Sequence, residues 1–215
     1  MAEIVEVSGP DLAAMLCSRV CHDLISPVGA IGNGLEVLAD PEQAEMADFA
    51  QELINNSARQ ARAKLEFARL AFGASSTQGT EIDTREAEKV SQSFMAGEKA
   101  ELKWNIEPVL LPKNKVKMLL NLLLISVGSV PRGGEVNVSL DGGEPGKEGV
   151  ILRSSGKKTL IPHQVADLLA GTPEDGRIDA QVIQPYYAGL LARESGLVAK
   201  IEKVDEEVII TASAK

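Results

Sequence analysis

Aromatic residues are few in this sequence: one Trp, two Tyr and four Phe in 215 residues. The core must therefore be assembled from Leu, Val, Ile, Ala and Met. Cysteine is scarcer still, with only Cys17 and Cys21. Four residues apart, they have the spacing of neighbours along one helix side, which excludes a disulfide framework and fits a reducing compartment. Positive charge is outweighed, since 22 Lys+Arg against 31 Asp+Glu leave a formal charge of −9. A nucleic-acid binder would carry a basic face, so that class is excluded. Long apolar runs are missing too: Met118 to Val130 is broken by Asn121, Ser126, Gly128 and Ser129, and it falls short of the roughly 20 residues that span a bilayer. No membrane anchor is expected. The opening Met-Ala-Glu-Ile-Val-Glu-Val carries acid where a secretory signal carries Lys or Arg, so a cytoplasmic protein is expected.

What is present begins with helix. Residues 1–73 read as helical almost throughout, while the remainder mixes short β-type runs with helical ones. The small polar stretch Gly73-Ala-Ser-Ser-Thr-Gln-Gly-Thr80 reads as a linker. Two units follow: a helical hairpin over 1–76 and a mixed unit over 81–215. The first helix is expected from Pro10-Asp11 to Ala39. Asp40 as N-cap, Pro41 at the first helical position and Glu42 behind it then start a second helix that reaches Phe72. Gly73 is expected to cap it in the left-handed conformation. Leu12, Leu16, Val20, Leu24, Val28, Ile31, Leu35 and Leu38 form one apolar stripe; Met46, Ala50, Leu53, Ile54, Ala61, Leu65, Ala68 and Phe72 form another. Two helices alone cannot bury both. A second copy would complete a four-helix bundle of two chains; packing of the hairpin on its own C-terminal half is the alternative.

Beyond residue 81 the patterns predict helix (84–95), strand (100–106), helix (112–127) and strands (135–140, 149–154). Helices (162–170, 179–195) and strands (197–204, 207–212) follow, with turns at Arg132-Gly133-Gly134 and Asp141-Gly142-Gly143. A mixed sheet with helices on one face, an α+β sandwich, is the expected architecture.

Imidazole chemistry has two candidates, His22 and His163. At about 100° per residue the apolar stripe of the first helix centres roughly opposite His22. The ring therefore points outward, with Ser18, Arg19, Ile25 and Ser26 as its neighbours on that face, Asp23 beside it and Gly29 two turns on. An outward imidazole is a competent nucleophile near neutral pH, and Arg19 is placed to compensate charge on a phosphoryl group.

Ser18-Arg19-Val20-Cys21-His22-Asp23-Leu24-Ile25-Ser26-Pro27 resembles the H-box of histidine kinases, with an acid directly after the histidine, a proline five residues after it, and a long helix around both. Asn121-Leu122-Leu123-Leu124-Ile125-Ser126 followed by Pro131-Arg132-Gly133-Gly134 is similar to the kinase N-box. The asparagine that holds magnesium in that motif falls on Ile125. Ser154-Ser155-Gly156-Lys157-Lys158 stands where the adenine-reading Asp-x-Gly-x-Gly would be, so no carboxylate remains to read a base. Ile183-Gln184-Pro185-Tyr186-Tyr187-Ala188-Gly189 replaces the glycine-rich phosphate loop, and Pro with two Tyr makes a poor anion cradle.

A kept H-box on a kinase-like body with a lost ATP site, together with Asn33-Gly-Leu-Glu36, resembles the alphaproteobacterial histidine phosphotransferases of the ChpT type, from about Asp11 to Ala212. The resemblance implies a homodimer with a degenerate kinase-type (GHKL or Bergerat-type) ATPase-like domain. It implies phosphoryl transfer from the receiver of a hybrid kinase to the receiver of a response regulator. His22 would be the phosphoryl acceptor and Asp23 its proton acceptor or orienter. Arg19 and Ser18 would be phosphate contacts, with Ile25, Ser26 and Gly29 on the docking surface. No cofactor, metal or nucleotide would be held by this chain, magnesium being carried by the partner receiver. A kinase-like dimer that only sequesters receivers is the alternative, and an autokinase with an unusual ATP site a third.

Other features carry blander expectations. Cys17 and Cys21 are assigned to packing, not to a metal site with His22. His163 is assigned to a cap or the surface, Trp104 to the core, and Tyr186 and Tyr187 to filling the former ATP region. Arg153, Lys157 and Lys158 are either a solvated edge or a contact for an acidic receiver.

Overall fold

The computed structural model describes residues 4–73, 81–142 and 148–214. Helix α1 runs Gly9–Ala39. The Ser8 hydroxyl accepts from the Asp11 N–H and Pro10 sits in the first turn, where a missing N–H costs nothing. Helix α2 (Ala47–Ala71) turns back along it. Between them lies a 3-10 turn, Pro41–Met46, which the sequence assigned to the helix itself. Asp40 does cap, accepting from the Glu42 N–H at 3.0 Å and the Gln43 side chain at 2.7 Å. These bonds hold its carboxyl below the ordinary carboxylate range, the Gln43 bond contributing most.

The rest is an α+β sandwich. It comprises β1 (Glu81–Asp83), α3 (Thr84–Met95), β2 (Ala100–Asn105), β3 (Leu110–Pro112), α4 (Lys113–Gly128), β4 (Gly134–Leu140) and β5 (Val150–Ser155). Then come α5 (Val165–Ala170), α6 (Ile183–Glu194), β6 (Leu197–Val204) and β7 (Glu207–Ala214). Five strands form one sheet in the order β2-β4-β5-β7-β6, parallel only between β2 and β4. Val136 and Val138 lie opposite Leu102 and Trp104, and Leu152 lies opposite Ile210. The inward row Val136, Val138, Leu152, Val208 and Ile210 is fully buried under α4. Met118, Leu119, Leu120, Leu122 and Leu123 meet it from above. Each such side chain stabilises the fold by about 1.5–3 kcal/mol relative to exposure. The short pair β1-β3 was missed by the sequence reading; it is tied in by Thr84, which exchanges hydrogen bonds with Val109 through its backbone N–H and its hydroxyl.

The base of the hairpin belongs to the same core. Phe67, Leu70 and Ala71 are buried in it, and Leu12 and Leu16 pack against it. Phe67 stacks on Phe94 with centroids 4.7 Å apart, and Phe72 faces Tyr187 at 6.1 Å. Tyr186 donates to the Val5 carbonyl at 3.0 Å while the Val5 N–H reaches Gly171, so the chain before α1 is strapped to the sandwich. The two tyrosines thus fasten the hairpin to the sandwich. Burial pushes the Tyr187 phenol up, and the nearby Glu194 charge adds to that. Farther along the hairpin the apolar stripe is not covered within the chain: Val28 and Leu35 are each 55% exposed, with Leu38 and Leu65 beside them in that class.

Two expectations are corrected. Gly73 is not left-handed; it follows a helix end at Phe72, and a side chain there would strike the Arg69 carbonyl. The remainder of the expected linker, 74–80, and Gly143 of the expected turn lie outside the described residues. Cys17 and Cys21 are exposed and not packed, because α2 meets α1 on the side of Pro27 and Gly34, a quarter-turn or more away. His163 stands exposed in the turn before α5, which begins at Val165, so of its two expected places the surface is the one observed.

Candidate functional site

The H-box turn of α1 brings one cluster together. The His22 side chain is 82% exposed. Its Nδ1 lies 3.3 Å from Asp23 Oδ1. A carboxylate only accepts, so the bond places the ring proton on Nδ1 and leaves the Nε2 lone pair facing solvent. Asp23 is held from a second direction by Arg19, whose Nε donates to Oδ2 at 3.1 Å in an i,i+4 pair with both side chains about one-third exposed. Screening at such exposure keeps the pair's contribution to stability small, so its effect is on orientation. Ser18, Ile25, Ser26 and Gly29 lie exposed on the same helix and leave the approach to Nε2 open; a Cβ at Gly29 would meet nothing within 4 Å. The sequence-predicted set is therefore assembled as one face.

Lys64 was missed. From α2 its Nζ donates to the Asp23 backbone carbonyl at 3.3 Å. The pairing spans 41 positions, and no periodicity could have shown it; the one available signal was Pro27, which deprives that carbonyl of its helix donor.

The segments whose sequence resembles nucleotide-binding motifs are packed into the sandwich. Ile125 is buried in the core. Asn121, fully buried, spends its side-chain N–H groups on the Ala71 and Lys117 carbonyls at 3.1 and 2.8 Å. Gln184 donates to the Asn121 backbone carbonyl, and the Ser154 hydroxyl to that of Ser126. Ile183 through Gly189 form the buried start of α6. Arg153 pairs with Glu207 at 3.4 Å and is not drawn to the H-box cluster, while Lys157 and Lys158 are exposed. Trp104 is half-buried against the core. Among the described residues no group of three or more His, Cys, Asp or Glu is arranged to hold a metal ion.

Comparison with known proteins bears on the whole chain. The family model described as "Histidine phosphotransferase C-terminal domain" matches residues 84–207. The protein phosphotransferase ChpT of Brucella abortus (strain 2308) is 46% identical over 208 residues, 97% of this chain and 98% of that one. A solved bacterial phosphotransferase superposes with a TM-score of 0.89 at 43% identity, covering 98% of this chain and 100% of the other. With the family model matched over most of the sandwich and protein phosphotransferases aligned over nearly the whole length, hairpin included, the chain belongs to the histidine phosphotransferase family.

Proposed function

We propose that this phosphotransferase works in a two-component phosphorelay, taking phosphoryl from the aspartyl phosphate of a hybrid kinase's receiver domain onto His22 and passing it to the aspartate of a response-regulator receiver. One observation carries the reading: an imidazole with Nδ1 held by the adjacent carboxylate and Nε2 open to a docking partner. On acceptance the Nε2 lone pair forms the N–P bond while the P–O bond to the receiver breaks, its electron pair staying on the receiver carboxylate. The ring then carries positive charge. Asp23 balances it by holding the Nδ1 proton, and Arg19 keeps Asp23 in place. Transfer onward is the reverse, with the electron pair returning to Nε2. Magnesium belongs to the acidic pocket of the receiver, which compensates the phosphoryl oxygens; this chain supplies no cofactor.

Nucleotide has no part in this reading. The residues at the kinase-like pocket do not fit one: Ile125 cannot ligate a metal, Ser154 cannot read a base as a carboxylate does, and the start of α6 carries the buried Pro185, Tyr186 and Tyr187 where a phosphate loop needs small residues. The test is to incubate the purified chain with labelled phosphorylated receiver domains and, separately, with labelled ATP. Acid-labile label is expected from receivers and none from ATP. Binding without label would leave the sequestering dimer as the better account.

The hairpin (1–76) serves in this reading as the dimerisation and transfer unit and the sandwich (81–215) as a degenerate ATPase-like domain. A second copy covers the exposed stripe at Val28, Leu35 and Leu65 to complete a four-helix bundle that presents two outward His22 rings. Leu35→Glu is accordingly expected to move the mass measured by light scattering from two chains to one; an unchanged mass would remove the bundle from the proposal. The site of action is cytoplasmic, where receiver domains meet their kinases; no helix among the described residues is long and apolar enough to cross a membrane.

A further inference from the structure

We infer that Lys64 is a positioning residue of the phosphoryl site: reaching from α2, its ammonium replaces the helix hydrogen bond that Pro27 removes, and so fixes the turn of α1 that presents His22. The inference rests on the reading of His22 as phosphoryl acceptor.

In an α-helix the N–H of each residue bonds to the carbonyl four positions earlier. Position 27 is proline, so the carbonyl at position 23 has no donor within the helix. Yet α1 continues unbroken across Pro27, and Pro27 itself is buried. The carbonyl left over belongs to Asp23, and Lys64 Nζ lies 3.3 Å from it. An ammonium donor makes this a charge-assisted bond. Asp23 is consequently held at both ends. Its backbone is tied to α2 through Lys64, and its carboxylate is tied to Arg19 at 3.1 Å and to His22 Nδ1 at 3.3 Å. A shift of the Asp23 backbone would carry the carboxylate with it and turn the imidazole.

A water molecule could satisfy the same part-exposed carbonyl with little loss of stability, but it would not tether two helices at the level of His22. The effect of Lys64 therefore belongs to the transfer step more than to folding. In-line approach to Nε2 depends on where the ring sits, and small displacements of a reacting group lower rates steeply.

The experiment uses the full chain and a labelled phosphorylated receiver domain in single-turnover transfer, fitting a maximal rate and a half-saturating receiver concentration. Four variants are compared: Lys64→Met, which keeps the stem; Lys64→Arg, which keeps a donor; Pro27→Ala, which returns an N–H to position 27; and the double variant Pro27→Ala/Lys64→Met. Lys64→Met is expected to lower the maximal rate by about tenfold while leaving the half-saturating concentration within about twofold. Lys64→Arg is expected to recover most of that loss. In the Pro27→Ala background, removing Lys64 should cost less than about twofold, because the restored N–H closes the carbonyl.

Transfer by Lys64→Met at the wild-type rate overturns the inference. So does a rise in half-saturating concentration at unchanged maximal rate, which would make Lys64 a docking contact, or an equal loss in both backgrounds. Should the wild-type chain take no label from any receiver, the His22 reading fails and this inference falls with it. A labelled wild type with an indifferent Lys64→Met sinks the Lys64 role alone.

Discussion

His22→Ala is expected to take up no acid-labile phosphoryl group from a receiver that labels the wild-type chain, a loss of more than about a thousandfold, as removal of a nucleophile generally produces. The variant should be as stable as the wild type, within about 0.5 kcal/mol, since a side chain 82% exposed contributes little packing. The pairing of those two results makes the experiment informative. Arg19 and Lys64 hold Asp23 independently of the ring, so the helix turn keeps its shape when the imidazole is gone. Label retained by His22→Ala would redirect attention to His163, the other imidazole, although that side chain stands in an exposed turn with no orienting carboxylate bond among those described. Loss of label with a matching loss of stability would point to a folding defect and leave the nucleophile unassigned.

Gly189→Val is expected to destabilise the sandwich by about 3 kcal/mol or more, near the upper end for overpacking a core. In a chain of this size that lowers the melting temperature by about 6–12 °C. A helix interior ordinarily gains about 1 kcal/mol when glycine is replaced by a better helix former. Here the gain is overridden, because a Cβ at Gly189 would collide with the Leu169 carbonyl oxygen and lie 2.7 and 2.9 Å from the Leu169 carbonyl carbon and Cα. Those are backbone atoms of α5, which no rotamer change can move aside. The glycine admits a neighbouring helix. Urea denaturation followed by circular dichroism measures the effect. A variant as stable as wild type would mean that α5 yields, and that the packing of α6 on α5 is looser than the contacts imply.

The local features of the fold were readable from the residues. The period of the apolar positions, Pro10-Asp11 and Asp40 near helix starts, and glycine turns indicated the hairpin, the order of elements after residue 81 and most boundaries to within a few residues, because each depends on interactions within one or two turns of chain. The outward placement of His22 is of the same kind. It follows from helical geometry alone, as do the contact of Asp23 with the next-door ring and that of Arg19 with Asp23 one turn on. The strands β1 and β3 were not readable, since three residues are too few to show a period and their pairing is made by chain 25 or more positions apart.

By itself, then, the sequence determined a helical hairpin with an acid-flanked, outward imidazole and an α+β body behind it. Only the tertiary structure decided which partners its side chains meet. Asn121 turned to hold the Ala71 carbonyl, Tyr186 and Tyr187 fastened the hairpin to the sandwich, and Lys64 crossed from α2 to the carbonyl that Pro27 had freed. Each of these joins residues far apart in sequence, with separations of 41, 50 and 181 for Lys64, Asn121 and Tyr186. Short-range geometry fixes which way a side chain leaves its helix. Which partner it meets depends on how the whole chain buries its apolar surface, and no local pattern records that.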